Sequence, residues 1–330
     1  MTGPGATRTG SHPPSPCPPG MSSAPDRPYV GRFAPTPSGP LHAGSVLAAV
    51  ISWLDARAAR GRWHLRIDDI DLPRVRAGAE DAILATLDVL GLGWDGPLTR
   101  QSNRDDAYAA AVDHLLQSGH AFACACTRRE IRTAGVAGWE GPVYPGTCRP
   151  GLPPGREGRS VRARAVTRRW TVEDRFQGPL CLDLEALGGD FVIRRAGGLH
   201  AYQLATVIDD HELGVTDVVR GIDLLGSTAR QLQLYAALGL APPEHAHHPV
   251  LVGRDGDKLS KHTGAAGVHG DAARRVLART LEVIELTPSD PLCPDAPEVQ
   301  LQEALNHLAR RPLARRLPPA SHLPWPDGEA

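Results

Sequence analysis

What most constrains this chain is the stretch Gly31 to Ser45, GRFAPTPSGPLHAGS, which follows the apolar pair Tyr29 and Val30 and ends where helical periodicity begins at Val46. It reads as a strand, a tight loop and a helix start. Pro35, Pro37 and Pro40 fix φ and remove backbone donors, while Gly39 and Gly44 let the chain bend and let a ligand approach the backbone. A helix opening behind such a loop points free N–H groups and a positive dipole end at its occupant, so an anion is the natural guest. His42 adds a donor there, and Arg32 and Thr36 add a charge and a hydroxyl upstream. An ordinary turn is the competing reading, since proline and glycine clusters mark turns of every kind.

The remaining pattern extends this start into an α/β fold. Val46 to Arg60 has helical spacing and stops at Gly61, which suits the position just beyond a helix end. Trp63 to Ile67 is a short bounded run that leads into Asp68, Asp69 and Asp71, which places acids at a strand's C-terminal end, where open parallel sheets bind ligands. Strand, helix and strand within about forty residues predict a right-handed βαβ unit. Further helices are expected over Ala79 to Leu90 and over Asp105 to Gln117, the latter capped by Ser102 or Asn103. HAYQLATVIDD, from His200 to Asp210, and the run from Val218 to Asp223 again end apolar elements in charged groups. Helices are expected between Asp271 and Leu286 and near Val299 to Leu308, ahead of a Pro-rich tail.

Composition limits the function classes. The 330 residues are 41% hydrophobic and 22% charged with a formal charge of -1, as in a soluble globular protein without a global basic excess, so any nucleic-acid surface must be local. No apolar run approaches the roughly 18 to 20 residues of a membrane helix. Residues 1 to 28 are rich in Pro, Gly, Ser and Thr and are expected to form a disordered leader, with Met21 an alternative start. Three of six cysteines crowd between Cys124 and Cys148; with Tyr144, Cys124, Cys126 and Cys148 could converge on one structural Zn²⁺, reduced thiols without metal being the alternative. Such a cluster suits a reducing cytoplasm, and Cys17, Cys181 and Cys293 read as plain thiols. Asp257 to His262, DKLSKH, lies in a Gly-rich loop whose two lysines could neutralise a polyphosphate or merely be solvated.

Taken together, Gly31 to Ser45 and the Lys258–His262 loop resemble the two signatures of class I aminoacyl-tRNA synthetases, in the branch that handles glutamate and glutamine. His42, Ala43, Gly44 and Ser45 stand in the first signature, and Lys258, Leu259, Ser260, Lys261 and His262 in the second. RIDDID from Arg66, Trp94 with Asp95, Tyr202 and Arg220 fit the same branch, so the resemblance covers roughly Tyr29 to Gly264. Within it the chain is similar to the short paralogues of glutamyl-tRNA synthetase. About seventy residues follow the lysine loop, fewer than a helical anticodon-binding region needs, and the Cys124, Cys126, Tyr144, Cys148 pattern is the one those paralogues use for zinc.

The resemblance implies a Rossmann-like doubly wound parallel sheet in two halves, residues 29–100 and 191–264, split by a zinc-bearing insertion over 101–190 and followed by a short helical region with a Pro-rich tail over 265–330. It implies that L-glutamate is activated by ATP with Mg²⁺ and passed to queuosine, the modified wobble base of tRNA(Asp), by a cytoplasmic monomer. Arg32 and Arg220 would meet the carboxylates and Asp68 the ammonium, with Phe33, Ala34, Pro35, Thr36 and Tyr202 shaping the pocket. His42, Gly44, Ser45 and Lys261 would bind ATP, with His42, Gly44, Lys258 and Lys261 the catalytic set. The family usually has Glu at the position of Asp68, so its reach here is one methylene short. Arg128, Arg129 and Arg132, and Arg162, Arg164, Arg168 and Arg169, are candidate contacts to an RNA backbone. The rival readings are a truncated glutamyl-tRNA synthetase charging a tRNA 3′ end, an idle regulatory paralogue, and a zinc-stabilised RNA-binding module.

Overall fold

The computed structural model describes residues 27–253, 267–286, 296–317 and 319–324. The expected leader up to residue 26, the lysine loop with Lys258 and Lys261, Cys17 and Cys293 lie outside the described residues. Strand β1 (Val30–Phe33), helix α1 (Ala43–Ala58) and strand β2 (Arg62–Ile67) form the expected unit, with β1 and β2 parallel in the register Arg32 opposite His64. Helix α2 (Ala79–Val89) returns the chain to β3 (Thr99–Arg100), parallel to β2. The loop between β1 and α1 is held at its start, where the Asp68 N–H donates to the Pro35 carbonyl at 3.0 Å.

Helix α1 is apolar nearly all round because it is covered on two sides, by the sheet and by helices near the C-terminus. Val46, Leu47, Val50, Ile51 and Leu54 are fully buried, each stabilising the fold by about 1.5–3 kcal/mol relative to exposure. Its end departs from expectation. The left-handed residue is Arg60, at φ 54°, and the Gly61 N–H closes the turn onto Ala56 O at 2.8 Å. Gly61 is needed for space instead, since a Cβ there would lie 2.4 Å from Tyr29 O.

Helix α3 (Asp105–Gln117) has the expected span, but its N-cap is Arg104, because Gln101–Asn103 form a 3₁₀ turn and the Ser102 N–H is taken by Asp69 at 2.8 Å. Strand β4 (Ala121–Cys124), helix α4 (Arg128–Ala134) and the hairpin of β5 (Ala137–Gly138) with β6 (Gly141–Pro142) follow. Strand β7 (Ser160–Ala163) pairs antiparallel with β4, while β8 (Arg169–Asp174) and β9 (Gly178–Asp183) form a hairpin and β10 (Phe191–Arg194) joins the other edge of β7. Cys181 is disulfide-bonded, a correction to its reading as a plain thiol; partners across such a bond are neighbours in space, which spacing along the chain does not reveal.

The run from His200 to Asp210 belongs to helix α5 (Tyr202–Glu212), so its two carboxylates sit on buried helical turns and not at a strand end. Strand β11 (Asp217–Gly221) then lies beside β1, where the Thr216 N–H donates to Val30 O at 2.9 Å, and helix α6 (Leu225–Leu238) leads to β12 (Glu244–His248), parallel to β11. The hydrogen-bonded orders are β1-β2-β3 and β11-β12, with β11 packed beside β1, so the C-terminal ends of β1, β2 and β11 lie next to one another. Strand β13 (Val250–Val252) pairs with β14 (His322–Pro324), a strand in the stretch read only as a tail; helices α7 (Gly270–Val283) and α8 (Pro297–Leu308) pack on α1.

Candidate active site

Where β1, β2 and β11 end, the chain buries an unusual density of charge. Arg32, Arg66, Asp68, Asp210 and Arg220 are each at most 5% exposed. Arg66 Nε donates to Asp68 Oδ1 at 2.7 Å and its Nη1 to Asp210 Oδ1 at 2.6 Å, while Arg32 Nε reaches both oxygens of Asp210 at 3.2 Å. Burial pushes the Asp210 carboxyl up, but Arg32 and Arg66 outweigh it and hold it below its usual value. Asp68 has only Arg66 against the same burial, and its carboxyl is pushed up to about 6. Asp209, beside Asp210, accepts from Gln101, Arg104 and the Tyr108 hydroxyl, so one turn of α5 ties both strand ends to α3.

Arg220 stands apart because no carboxylate contacts it among the described residues. Its Nε–H donates to His247 Nε2 at 3.2 Å and its Nη2 to Thr228 Oγ1 at 2.7 Å. His247 Nδ1 meets Asp174 Oδ2 at 2.5 Å, so the ring proton sits on Nδ1 and the Nε2 lone pair faces Arg220. Burial keeps His247 below the usual imidazole value in spite of Asp174, so the ring is neutral. Arg220 Nη1 is buried without a partner. Burial and the nearby charge of Arg32 both disfavour its cation, while Tyr202 beside it favours the charged form. A buried guanidinium with a vacant donor is a site for an anion.

At the other end of the crevice, His42 is the N-cap of α1, its Nδ1 accepting from the Ser45 N–H at 3.3 Å. The loop that carries Ala34, Pro35 and Thr36 leads into this helix start, where the first-turn N–H groups of a sixteen-residue helix lack intrahelical partners. Arg32, Asp68, Tyr202 and Arg220 are thus brought near one another, and His42, Gly44 and Ser45 form the start of α1. Phe33, expected to shape the same pocket, instead stacks on Trp63 in the apolar core, because alternate residues of β1 face opposite sides of the sheet.

A separate cluster lies beyond β4. Cys126 Sγ is 3.6 Å from Cys148 Sγ, Tyr144 Oη is 3.5 Å from Cys124 Sγ and 3.8 Å from Cys126 Sγ, and the three thiols lie within 4.8 Å of one another. Tetrahedral zinc with Zn–S bonds of about 2.3 Å requires ligand separations of about 3.8 Å, so the donor set fits a metal. Arg162 stacks 4.1 Å over the Tyr144 ring; burial would raise the Cys124 thiol, but its hydrogen bond with Tyr144 and the charge of Arg162 hold it below its usual value.

Residues 29–276 match the profile of the catalytic domain of class I tRNA synthetases, E and Q. The chain belongs to this family. It is a ligase of the aminoacyl-tRNA synthetase type. It is 51% identical over 263 residues, 79% of this chain and 88% of the relative, to a glutamyl-Q tRNA(Asp) synthetase of Chromobacterium violaceum. A glutamyl-Q tRNA(Asp) synthetase of Bordetella bronchiseptica is 51% identical over 288 residues, covering 86% and 89% of the two chains. Among solved structures, a glutamate tRNA ligase from Elizabethkingia meningosepticum in complex with its amino acid superposes with a TM-score of 0.73 at 25% identity, over 91% of this chain and 67% of that one.

Two features of this synthetase differ from what its sequence suggests. Arg162 and Arg164 are not free for RNA: Arg162 is buried, donating to Asp190 O, and Arg164 covers the Phe122 ring and donates to Arg149 O. The cause is the cysteine cluster, whose aromatic neighbours take both guanidinium planes. Arg66, Asp174, Thr228 and His247 were given no role from the sequence, although each touches a residue of the pocket or its support. Only Arg66, quoted within RIDDID, carried any signal.

Proposed function

We propose that this synthetase activates L-glutamate with ATP and Mg²⁺ to glutamyl adenylate and transfers the glutamate to a hydroxyl of queuosine in the anticodon of tRNA(Asp). The observation that carries the substrate reading is the unpartnered Arg220 Nη1, buried near Arg32 in a crevice that also holds the acid Asp68. An amino acid with two carboxylates and one ammonium answers that arrangement. Arg220 and Arg32 take the carboxylates, Asp68 takes the ammonium, and Tyr202, Ala34, Pro35 and Thr36 bound the pocket. The contact from Arg66 aligns the short side chain of Asp68.

ATP lies across His42, Gly44, Ser45 and the start of α1, where free N–H groups and the helix dipole favour phosphate. Lys258 and Lys261 stabilise charge as pyrophosphate leaves. The glutamate α-carboxylate attacks the α-phosphate, the bond to the bridging oxygen of pyrophosphate breaks, and no side chain becomes a covalent nucleophile. Cys124, Cys126, Cys148 and Tyr144 hold one Zn²⁺, which supplies structural cross-linking to a segment with few apolar residues of its own. The names of the two curated relatives support queuosine as acceptor.

The test is glutamate-dependent exchange of labelled pyrophosphate into ATP. Exchange without tRNA is expected, with glutamine a poor substitute. No exchange in zinc-loaded protein, with or without tRNA, refutes the activation step.

A further inference from the structure

The turn between β5 and β6 consists of Trp139 and Glu140, and the two side chains part company. Glu140, although exposed, bends back onto α6: its Oε2 receives Arg230 Nη1 at 2.6 Å, and its Oε1 occupies the space over Gly226, where a Cβ would lie 1.7 Å away. The Trp139 N–H donates to Ala186 O at 2.8 Å, which fixes the turn from a second side. The hairpin is thereby docked on the first turn of α6. Thr228, which holds Arg220, is in that turn two residues on from Gly226 and so on another side of the helix, which leaves α6 between the hairpin and the Arg220 guanidinium.

The indole of Trp139 has no such anchor. It is 71% exposed, as is Val136 at the foot of the hairpin, in a turn where glycine, asparagine or aspartate would ordinarily stand. Nothing in the folding of the hairpin requires it. On the preceding helix, Arg128, Arg129 and Arg132 are exposed and form no ion pair among the described residues, although Glu130 between them is bound to Arg156. An exposed aromatic ring on a hairpin whose backbone is fixed, with a short cationic helix directly before it in the chain, has the chemistry of a single-stranded RNA site. Rings of this kind stack unpaired bases, and arginines follow the phosphates.

We infer that the 137–142 hairpin is the RNA-docking element of the site, with Trp139 stacking an unpaired base of the acceptor loop and Arg128, Arg129 and Arg132 contacting its backbone. This rests on the proposed anticodon-loop acceptor and adds how the loop is seated. The charge of the neighbouring helix favours RNA over an apolar protein partner.

The test uses full-length Trp139→Ala and Trp139→Phe proteins with the anticodon stem-loop of tRNA(Asp) containing queuosine. Base stacking supports a loss of about 5- to 100-fold in RNA affinity for Trp139→Ala. Trp139→Phe should recover most of it. Glutamate-dependent exchange should be unchanged in both. In wild type, RNA should quench indole emission, and the quench should be lost in Trp139→Phe. Replacing Arg128, Arg129 and Arg132 with Ser should flatten the salt dependence of binding. If Trp139→Ala binds and accepts glutamate as wild type does, the inference is overturned, as it is if exchange falls in parallel with binding, or if a protein partner and not RNA is what Trp139→Ala loses. Failure of wild-type protein to modify the RNA at all refutes the proposed acceptor instead.

Discussion

Asp174→Asn is the substitution that should report most clearly on how the pocket is held. The change is nearly isosteric, and the Asp174 Oδ1 position can still accept from the Phe176 and Gln177 N–H groups, at 3.0 and 2.9 Å. The oxygen that receives His247 Nδ1–H, however, becomes an NH₂ donor. The neutral ring must then carry its proton on Nε2, which turns that proton toward the Nε–H of Arg220, 3.2 Å away. The hydrogen bond from the Arg220 guanidinium to the ring is lost, although Thr228 Oγ1, 3.0 Å from Nε2, can accept the relocated proton; losing a hydrogen bond to a charged group costs roughly 1.5–3 kcal/mol. At about 1.4 kcal/mol per factor of ten, this predicts a rise of roughly 10- to 100-fold in KM for glutamate. KM for ATP should change little, because His42 and the start of α1 are untouched. The assay is pyrophosphate exchange with each substrate varied, alongside thermal unfolding. Equal losses for ATP and glutamate, or wild-type kinetics in a folded variant, would refute the claim that His247 aims Arg220.

Three further outcomes follow from particular contacts. With its carboxyl pushed up to about 6 by burial, Asp68 should lose its charge, and glutamate its ammonium partner, as pH falls through 6. KM for glutamate should rise there, and Asp68→Asn should abolish that dependence; an unchanged profile in Asp68→Asn sinks the assignment. The sign for folding is opposite to that of a paired acid: the folded state holds the Asp68 proton more tightly, so this group's contribution to stability falls as pH rises from 3.8 to about 6. Gly61→Ala places a Cβ 2.4 Å from Tyr29 O and should cost about 1–3 kcal/mol by overpacking, seen as a lower unfolding temperature; no change would mean β1 and β2 yield freely there. Cys126→Ser should release about one zinc per chain and make residues 121–160 protease-sensitive. Metal-free protein with unaltered proteolysis would contradict the structural role.

The parts of this synthetase that were legible in its sequence are those built from near neighbours. β1, the proline-broken loop, α1 and β2 lie within some forty residues, so periodicity and turn chemistry specify them together. The charged cluster was visible only as acids and arginines at the ends of apolar runs. Its pairing was not, because Arg32 meets Asp210 across 178 residues and Arg66 meets it across 144, distances over which no local pattern acts. The same limit hid Asp174, which reaches His247 across 73 residues from a hairpin that looked unrelated to the pocket. It also left the type of the 200–210 element open: Val207 and Ile208 favour a strand, yet packing of α5 against α3 and α6 makes it a helix and brings Asp209 and Asp210 inside. Gly61 was noticed for the right reason of position and the wrong one of physics: the backbone strain falls on Arg60, and the glycine makes room for Tyr29. Arg162 and Arg164 show the converse, since an alternating cationic strand reads as a solvated face until the aromatic rings beneath it are known.

Identity of the acceptor is the central claim, and one measurement addresses it directly. Labelled glutamate and ATP are supplied with tRNA(Asp) that contains queuosine, with the same tRNA lacking it, and with tRNA(Glu), and the products are cut by nuclease into anticodon and 3′ fragments. The account predicts label in the anticodon fragment of queuosine-containing tRNA(Asp) alone. Label at the 3′ end of tRNA(Glu), or of tRNA(Asp) regardless of queuosine, would contradict it.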